Sequence, residues 1–215
     1  MFAPPNTIVS LLLLSALLQV AQPAWPKNLH EKKSNPSAMP TALQSTKAEM
    51  TGHTEALRTL MLALYTQYPE ELAKSTQVSA REMTEWVFDG KANWKFDAIR
   101  GQQKTEAVSL VLNPEYMGDH ILPLIVGLET LLFDAYGAKN EFEIPPERNA
   151  QRLQQASCQI QAWQAHFNHP ENTGKQIVMF EQKATRNMIA DTLAQMIQRL
   201  NASIRQAPPL HDMHC

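Results

Sequence analysis

The sequence predicts an all-α protein, and three observations carry that expectation. Seven glycines stand against fourteen prolines in 215 residues, too few turn glycines for a fold built on β-hairpins. Long stretches are rich in Gln, Ala, Leu and Met, all good helix formers. Beyond Pro40, apolar residues recur with the 3.6-residue period of helices that bury one face. At 44% hydrophobic and 19% charged, the chain suits one domain with a substantial core. Its net charge of −2, with acids and bases interspersed, lacks the positive footprint that a phosphate backbone demands, so nucleic acid is not expected as a partner.

The first element is a leader. Ile8 to Val20, "IVSLLLLSALLQV", is an apolar run of about 13 residues, short for a bilayer span but suited to a secretory signal. Residues 1–24 are therefore expected to be a signal peptide. No Lys or Arg precedes the run, and cleavage after Ala21 or Ala24 places Gln19 or Gln22 at the third position back, so an uncleaved inner-membrane anchor is the alternative. No cysteine follows the run to carry a lipid. The expected destination is the periplasm or the outside, where disulfides form. Residues 25–40, "WPKNLHEKKSNPSAMP", have no helical period and read as a flexible linker. Its Lys27, Lys32 and Lys33 are too few to bind a membrane strongly.

Helices are expected from residue 41 to residue 206. Leu43, Met50, Leu57, Leu60, Met61, Leu64 and Tyr65 form one stripe from Thr41 to Tyr68, and Pro69 ends that helix or starts the next. Ser79 and Glu82 make a capping box for a helix running through Met83, Trp86 and Val87 toward Gly90. Phe96 to Leu112 is expected to be helical despite Gly101, with Asn113-Pro114 as its stop. Asp119 as N-cap, Pro123 in the first turn and Gly137 past the end define the next helix. The stretch from Gly137 to Asn149 is too short and proline-bound for a helix. Asn149 caps a helix to Phe167 with Leu153, Ala156, Ile160, Trp163 and Phe167 inward. A last helix from about Thr173 to Gln206 carries Ile177, Phe180, Ala184, Met188, Leu193, Met196, Ile197, Leu200 and Ile204, and Pro208-Pro209 end it. The result is an antiparallel bundle of about five helices around a central apolar one, with residues 207–215 as a tail.

The central helix, within "NPEYMGDHILPLIVGLETLLFDAYG", is too short and too polar to be a membrane span, since it holds His120, Glu129, Thr130 and Asp134. No transmembrane segment is expected beyond the leader. Projection at 100° per residue puts His120, Gly127, Thr130 and Asp134 on one narrow strip. Gly127 is read as the point where another helix approaches closely. Glu129 falls on the opposite, apolar side, among Leu122, Ile125, Leu132, Phe133 and Tyr136. It either pairs with a buried arginine, reaches outward, or stays neutral with a raised pKa. An ion pair with Arg58, Arg148, Arg152 or Arg186 is the expectation, and a functional acid is the alternative.

The run "LNPEYMGDHILPLIVGLETLL", then "AYG" and "NEFEI", resembles a family of small exported helical proteins and lipoproteins of proteobacteria. The likeness covers roughly residues 68–200. It rests most on Asn113-Pro114, Tyr116, Gly118-Asp119, Tyr136-Gly137 and the helix near Trp163. The resemblance implies a cell-envelope location and no particular activity. This chain departs from it in lacking a lipobox cysteine and in ending on "LHDMHC".

Catalytic signatures are missing. There is no Cys-x-x-Cys-His, Gly-rich phosphate loop, His-Glu-x-x-His or nucleophile elbow, so no catalytic residue is assigned and no cofactor is expected. His166 and His169 could offer two metal ligands alongside the tail, but their place at a helix end before Pro170 favours interaction with the helix dipole. Met61, Met188 and Met196 lie on apolar stripes as core filler. The tail holds the densest set of metal-capable groups, with His211, His214 and Cys215 as candidate Cu or Zn ligands. Cys158 is expected to be exposed on the glutamine-rich face of its helix, within reach of the tail, so a Cys158–Cys215 disulfide is favoured. That bridge and a full set of tail ligands exclude each other. Two function classes follow. One is a non-enzymatic accessory or interaction module of the cell envelope, acting on a protein or lipid partner. The other is a periplasmic metal-handling protein using the tail.

The mature chain should begin near Gln22 or Trp25 and be soluble once released. N-terminal sequencing of the cell-derived protein checks this, and an intact Met1 on protein that resists a carbonate wash would refute it.

Overall fold

The computed structural model describes residues 41–90, 93–138, 143–168, 181–209 and 215. The expected leader, the linker, and tail residues His211 and His214 lie outside the described residues. Among those described, the regular structure is all-α: seven α-helices, one 3₁₀ turn and no strand. The helices are α1 (Thr41–Gln67), α2 (Pro69–Ser75), α3 (Ala80–Asp89), α4 (Lys104–Leu112), α5 (Ile121–Ala135), α6 (Ala150–Asn168) and α7 (Lys183–Gln206). That is one more than the expected five or so around a central helix, because Pro69 starts a short helix of its own after a break at Tyr68. None of the described helices is long and apolar enough to cross a membrane.

Local signals explain most helix ends. The Ser79 hydroxyl accepts from the Glu82 N–H at 3.2 Å, and Asn149 Oδ1 accepts from the Arg152 N–H at 3.0 Å, each satisfying an orphan donor of a first turn. Asp119 acts one residue earlier than a standard cap, with Oδ1 taking the N–H groups of Ile121 and Leu122 at 2.7 and 3.2 Å. At the other end of α5, Gly137 adopts φ +71°. Its N–H bonds Asp134 O, and the Ala138 N–H bonds Phe133 O, both at 2.9 Å, which is the Schellman arrangement that a left-handed residue permits.

One expected helix breaks. From Phe96 to Leu112 the chain forms only a 3₁₀ turn at Asp97–Ile99 before Arg100 and Gly101 turn left-handed at φ 56° and 65°. Helix α4 then starts at Lys104, whose backbone N–H donates to Thr130 Oγ1 of α5 at 2.8 Å. Tertiary contact with α5 thus fixes where this helix begins.

The helices pair antiparallel. Along α1 and α5, Tyr65 meets Asp119, Thr54 meets Glu129 and His53 meets Tyr136. Along α1 and α7, Gln67 meets Thr185 and Glu49 meets Ser203. Along α6 and α7, Ser157 meets Asn201 and Gln164 meets Ala190. Every residue from Ile121 to Thr130 is buried, so α5 is covered all round. The expected stripe of α6 is buried in full. On α7 the register differs from the projection: Ala184 is exposed while Thr185 and Ile189 join Leu193, Met196 and Leu200 inside. Ile177 and Phe180 lie outside the described residues.

Cys158 and Cys215 form a disulfide, with Cα atoms 5.5 Å apart, tying the C-terminal residue to α6. Cys158 is half-buried and not exposed as its face suggested.

Gly127 does bring α4 against the α5 backbone. A Cβ built there would lie 2.5 Å from Val108 Cγ2 and 2.8 Å from Lys104 O, and the second contact is backbone that cannot step aside. Gly127→Ala should therefore destabilise the fold by about 1–3 kcal/mol through overpacking. Adding Val108→Ala should recover only part of that loss in urea melts. Full recovery would mean that the Lys104 carbonyl does not constrain the approach.

Candidate functional site

Three buried polar groups of residues lie along α1 and α5, and they differ in how well they are satisfied. The first sits at the N-terminus of α5. Asp119 Oδ2 accepts from the hydroxyls of Tyr65 and Ser75 at 2.5 and 2.7 Å, while Oδ1 holds the helix cap. Burial nevertheless pushes the Asp119 carboxyl up, against those hydrogen bonds. Beside it, Glu71 Oε2 accepts from the His120 backbone N–H at 2.8 Å and lies 3.1 Å from His120 Nδ1, and Oε1 takes Lys74 Nζ at 2.7 Å. Burial opposes ionisation of Glu71, but the bonds from His120 and Lys74 outweigh it and hold its pKa at about 2. All four carboxylate oxygens have partners. The cluster is a closed helix cap.

The second group joins α1, α7 and the segment before α6. Arg148 Nη2 pairs with Glu49 Oε1 at 2.7 Å, and Ser203 donates to Glu49 Oε2 at 2.6 Å. Tyr136 Oη lies 3.0 Å from Ser203 Oγ. His53 is fully buried beside Tyr136. Burial, then the charge of Arg199, lowers its pKa to about 3, so its ring stays neutral. Arg199 in turn donates to the Gly52 carbonyl.

The third is Glu129, 1% exposed. Thr54 Oγ1 donates to its Oε1 at 2.7 Å, and its Oε2 is buried with no hydrogen-bond partner. The expected arginine pair does not form, because each candidate is committed elsewhere. Arg58 forks onto Asp89 at 2.7 and 2.8 Å and lies 5.0 Å over the Phe88 ring. Arg148 is held by Glu49. Arg152 Nη1 reaches Asp134 O at 3.5 Å and Arg186 Nη1 donates to Glu181 O at 2.8 Å. Burial therefore dominates and raises the Glu129 pKa to about 8, with Thr54 and Arg58 opposing the shift and Glu55 adding to it.

Glu129 lines a cavity of about 120 Å³. Met50, Phe88, Trp94, Phe133 and Ile144 form its apolar wall, with Thr54 beside the acid and Lys47 and Thr51 completing the lining. Lys47 and Thr51 are exposed, so the cavity reaches the surface along α1. Trp94 is brought there by a turn in which Asn93 and Trp94 take φ 47° and 57°, a conformation costing about 1–3 kcal/mol per non-glycine residue. Its ring packs on Phe133 with centroids 4.8 Å apart, and its Nε1 has no hydrogen-bond partner.

The residues singled out in the sequence do not converge on this site. Only Glu129 belongs to it, and Gly127 faces α4 instead. Cys215 is bound to Cys158, so the tail's thiolate is unavailable as a ligand, and His211, His214 and His169 lie outside the described residues. Among those described, no group of three or more His, Cys, Asp or Glu side chains is placed to hold a metal. Phe133 is the one wall residue that the helix projection had put on the same side as Glu129, whereas Thr54, Phe88 and Trp94 were not anticipated. Thr54 carried one weak signal, a small polar residue a helical turn from the Met50 and Leu57 stripe. No protein-family model, curated protein or solved structure matches the chain.

The sign of the pH effect follows from the upward shift of an acid. Below pH 4.5 both folded and unfolded states hold the Glu129 proton. Between 4.5 and about 8 the unfolded chain releases it while the folded one keeps it, so stability is lost as pH rises across that window. At pH 7 the loss is on the order of 3 kcal/mol. Relative to wild type, Glu129→Gln should gain stability by about that amount between pH 4 and pH 7, read from paired urea melts. A difference that stays constant with pH would show that the carboxyl ionises normally in the folded protein.

Proposed function

We propose that the chain is an exported, non-enzymatic accessory module of the cell envelope that takes a small ligand into the cavity beside Glu129. The observation that carries this reading is Glu129, which lines an aromatic-walled cavity and whose buried Oε2 has no hydrogen-bond partner. A buried acid with one oxygen unsatisfied is a cost to the fold that a hydrophobic residue would avoid, and perturbed acids in a concave site point to function. Binding is favoured over catalysis by what surrounds the acid. Thr54 spends its hydrogen on Glu129, Thr51 donates to the Lys47 carbonyl, and Lys47 is exposed, so among the described residues no second acid, base or nucleophile is held against the carboxyl.

The compartment is supported by the expected leader and by the disulfide, which suits an oxidising environment, and the resemblance to exported proteobacterial proteins points the same way. In this reading residues 1–24 direct export, residues 25–40 are a linker, and residues 41–206 are one helical bundle around α5. The disulfide also weighs against the metal-handling alternative, since it removes Cys215 from the tail's ligand set.

A melting-temperature panel tests the reading, using organic compounds of about four to six heavy atoms, the size the cavity holds, in cationic, neutral and anionic classes. At least one class should raise the melting temperature of the wild type and leave Thr51→Trp, which blocks the exposed side of the cavity, unchanged. If no class separates the two proteins, the ligand-binding reading is wrong.

A further inference from the structure

The Glu129 cavity has a more definite chemistry than ligand binding in general, and the inference drawn from it rests on the reading above. We propose that the cavity is a site for a small organic ammonium ion, which pairs with Glu129 Oε2 and packs its alkyl part against Phe88, Trp94 and Phe133.

Three features select that class. Oε1 is already taken by Thr54 while the buried Oε2 has no partner, so the carboxyl has one strong acceptor left for one donor. The walls around it are mainly ring and alkyl surface. Aromatic faces attract a cation and repel an anion, and a desolvated cation on such a wall gains more than it would at the surface. Size sets the third limit. An apolar cavity of about 150 Å³ holds benzene, so one of about 120 Å³ takes a branched alkylammonium of about five heavy atoms and not a nucleotide, sugar or peptide.

The surrounding charges leave this role open. On α1 these are Lys47, Glu55 and Arg58, and on α3 Asp89. Arg58 is matched by Asp89 and by Glu55 at 3.7 Å, and Lys47 is exposed, so neither cation pairs with Oε2, although the Arg58 charge favours the ionised carboxyl. The Arg58 guanidinium already lies over Phe88 at 5.0 Å, which shows that this ring accepts a cation.

Binding then moves a proton. The free site holds Glu129 as the neutral acid at neutral pH, since its pKa is raised to about 8. An R–NH3⁺ ion entering the cavity pairs with the carboxylate, so the O–H bond of Glu129 breaks and its proton passes to solvent. Nothing else is oxidised, reduced or transferred. Affinity for the ammonium must therefore climb with pH up to about 8 and level off above it, whereas a carboxylate ligand, which needs the protonated acid, would show the reverse.

Calorimetric titration with isobutylammonium, isobutanol and isobutyrate in two buffers of different ionisation enthalpy reads this directly. Isobutylammonium should bind the wild type with release of about one proton at pH 6.5 and with affinity rising about tenfold per pH unit between pH 6 and pH 7.5. Glu129→Gln should lose at least about tenfold in affinity and all the proton release, and Thr51→Trp should not bind. Binding of isobutanol or isobutyrate without isobutylammonium, or ammonium binding with no proton release, overturns the ammonium assignment while leaving the cavity a ligand site. Silence of all three probes overturns both readings.

Discussion

A helix that is apolar on nearly its whole circumference can be stable in water only if other helices cover it, and α5 imposes that demand on the rest of the chain. Ile121 to Thr130 are all buried, which is more than one neighbour can achieve. Helix α1 runs antiparallel to it along most of its length, α4 is drawn against Gly127, and α6 closes another side. The cover is built at several specific points. Asp119 fastens one end of α5 to Tyr65 and Ser75, and Tyr136 meets His53 and Ser203 near the other. Between them Thr130 receives the Lys104 N–H. Each polar group along α5 except one is used to fix a neighbour in register.

Glu129 is the exception, and its position explains why. A carboxyl in the middle of α5 faces the seam between α1 and the turn carrying Trp94. A nearby arginine, Arg58, is pulled outward by the better bidentate geometry of Asp89. The acid is left with a single hydroxyl donor. Two further costs are set around it: two consecutive left-handed residues that bring in Trp94, and space left unfilled beside three aromatic rings. Packing alone would remove all three features, since a leucine at 129 and a relaxed turn would fill the same region with fewer penalties.

What the sequence made legible was local. The Ser79 and Asn149 caps, the C-terminal signal of Gly137 and the stripe of α6 depend on neighbours a few residues apart, and the structure contains them. The need of α5 for cover and the close approach at Gly127 followed from one helix projection. What escaped was set by distant contacts. The break before α4 depends on Thr130 and on Arg100 taking a left-handed conformation that composition does not announce. The register of α7 shifted because both α1 and α6 pack on it, so its buried positions are a compromise that a single stripe does not describe. The pairing of Glu129 was misjudged because each arginine had a better acceptor, and which acceptor is nearest is known only once the helices are assembled.

The disulfide belongs to the same logic of closing what short-range structure leaves loose. Helix α7 ends at Gln206, just before Pro208-Pro209. Bridging Cys215 to Cys158 across a separation of 57 residues removes unfolded-state freedom worth on the order of 4 kcal/mol by loop-closure arguments, comparable to the cost that an unpaired Glu129 places on the fold at neutral pH. A marginally stable domain can tolerate a strained, unsatisfied site if stability is supplied elsewhere. Here the supply comes from a cross-link between α6 and the chain end, far in sequence from the α1–α5 seam, so it adds stability without filling the cavity or giving Glu129 a partner.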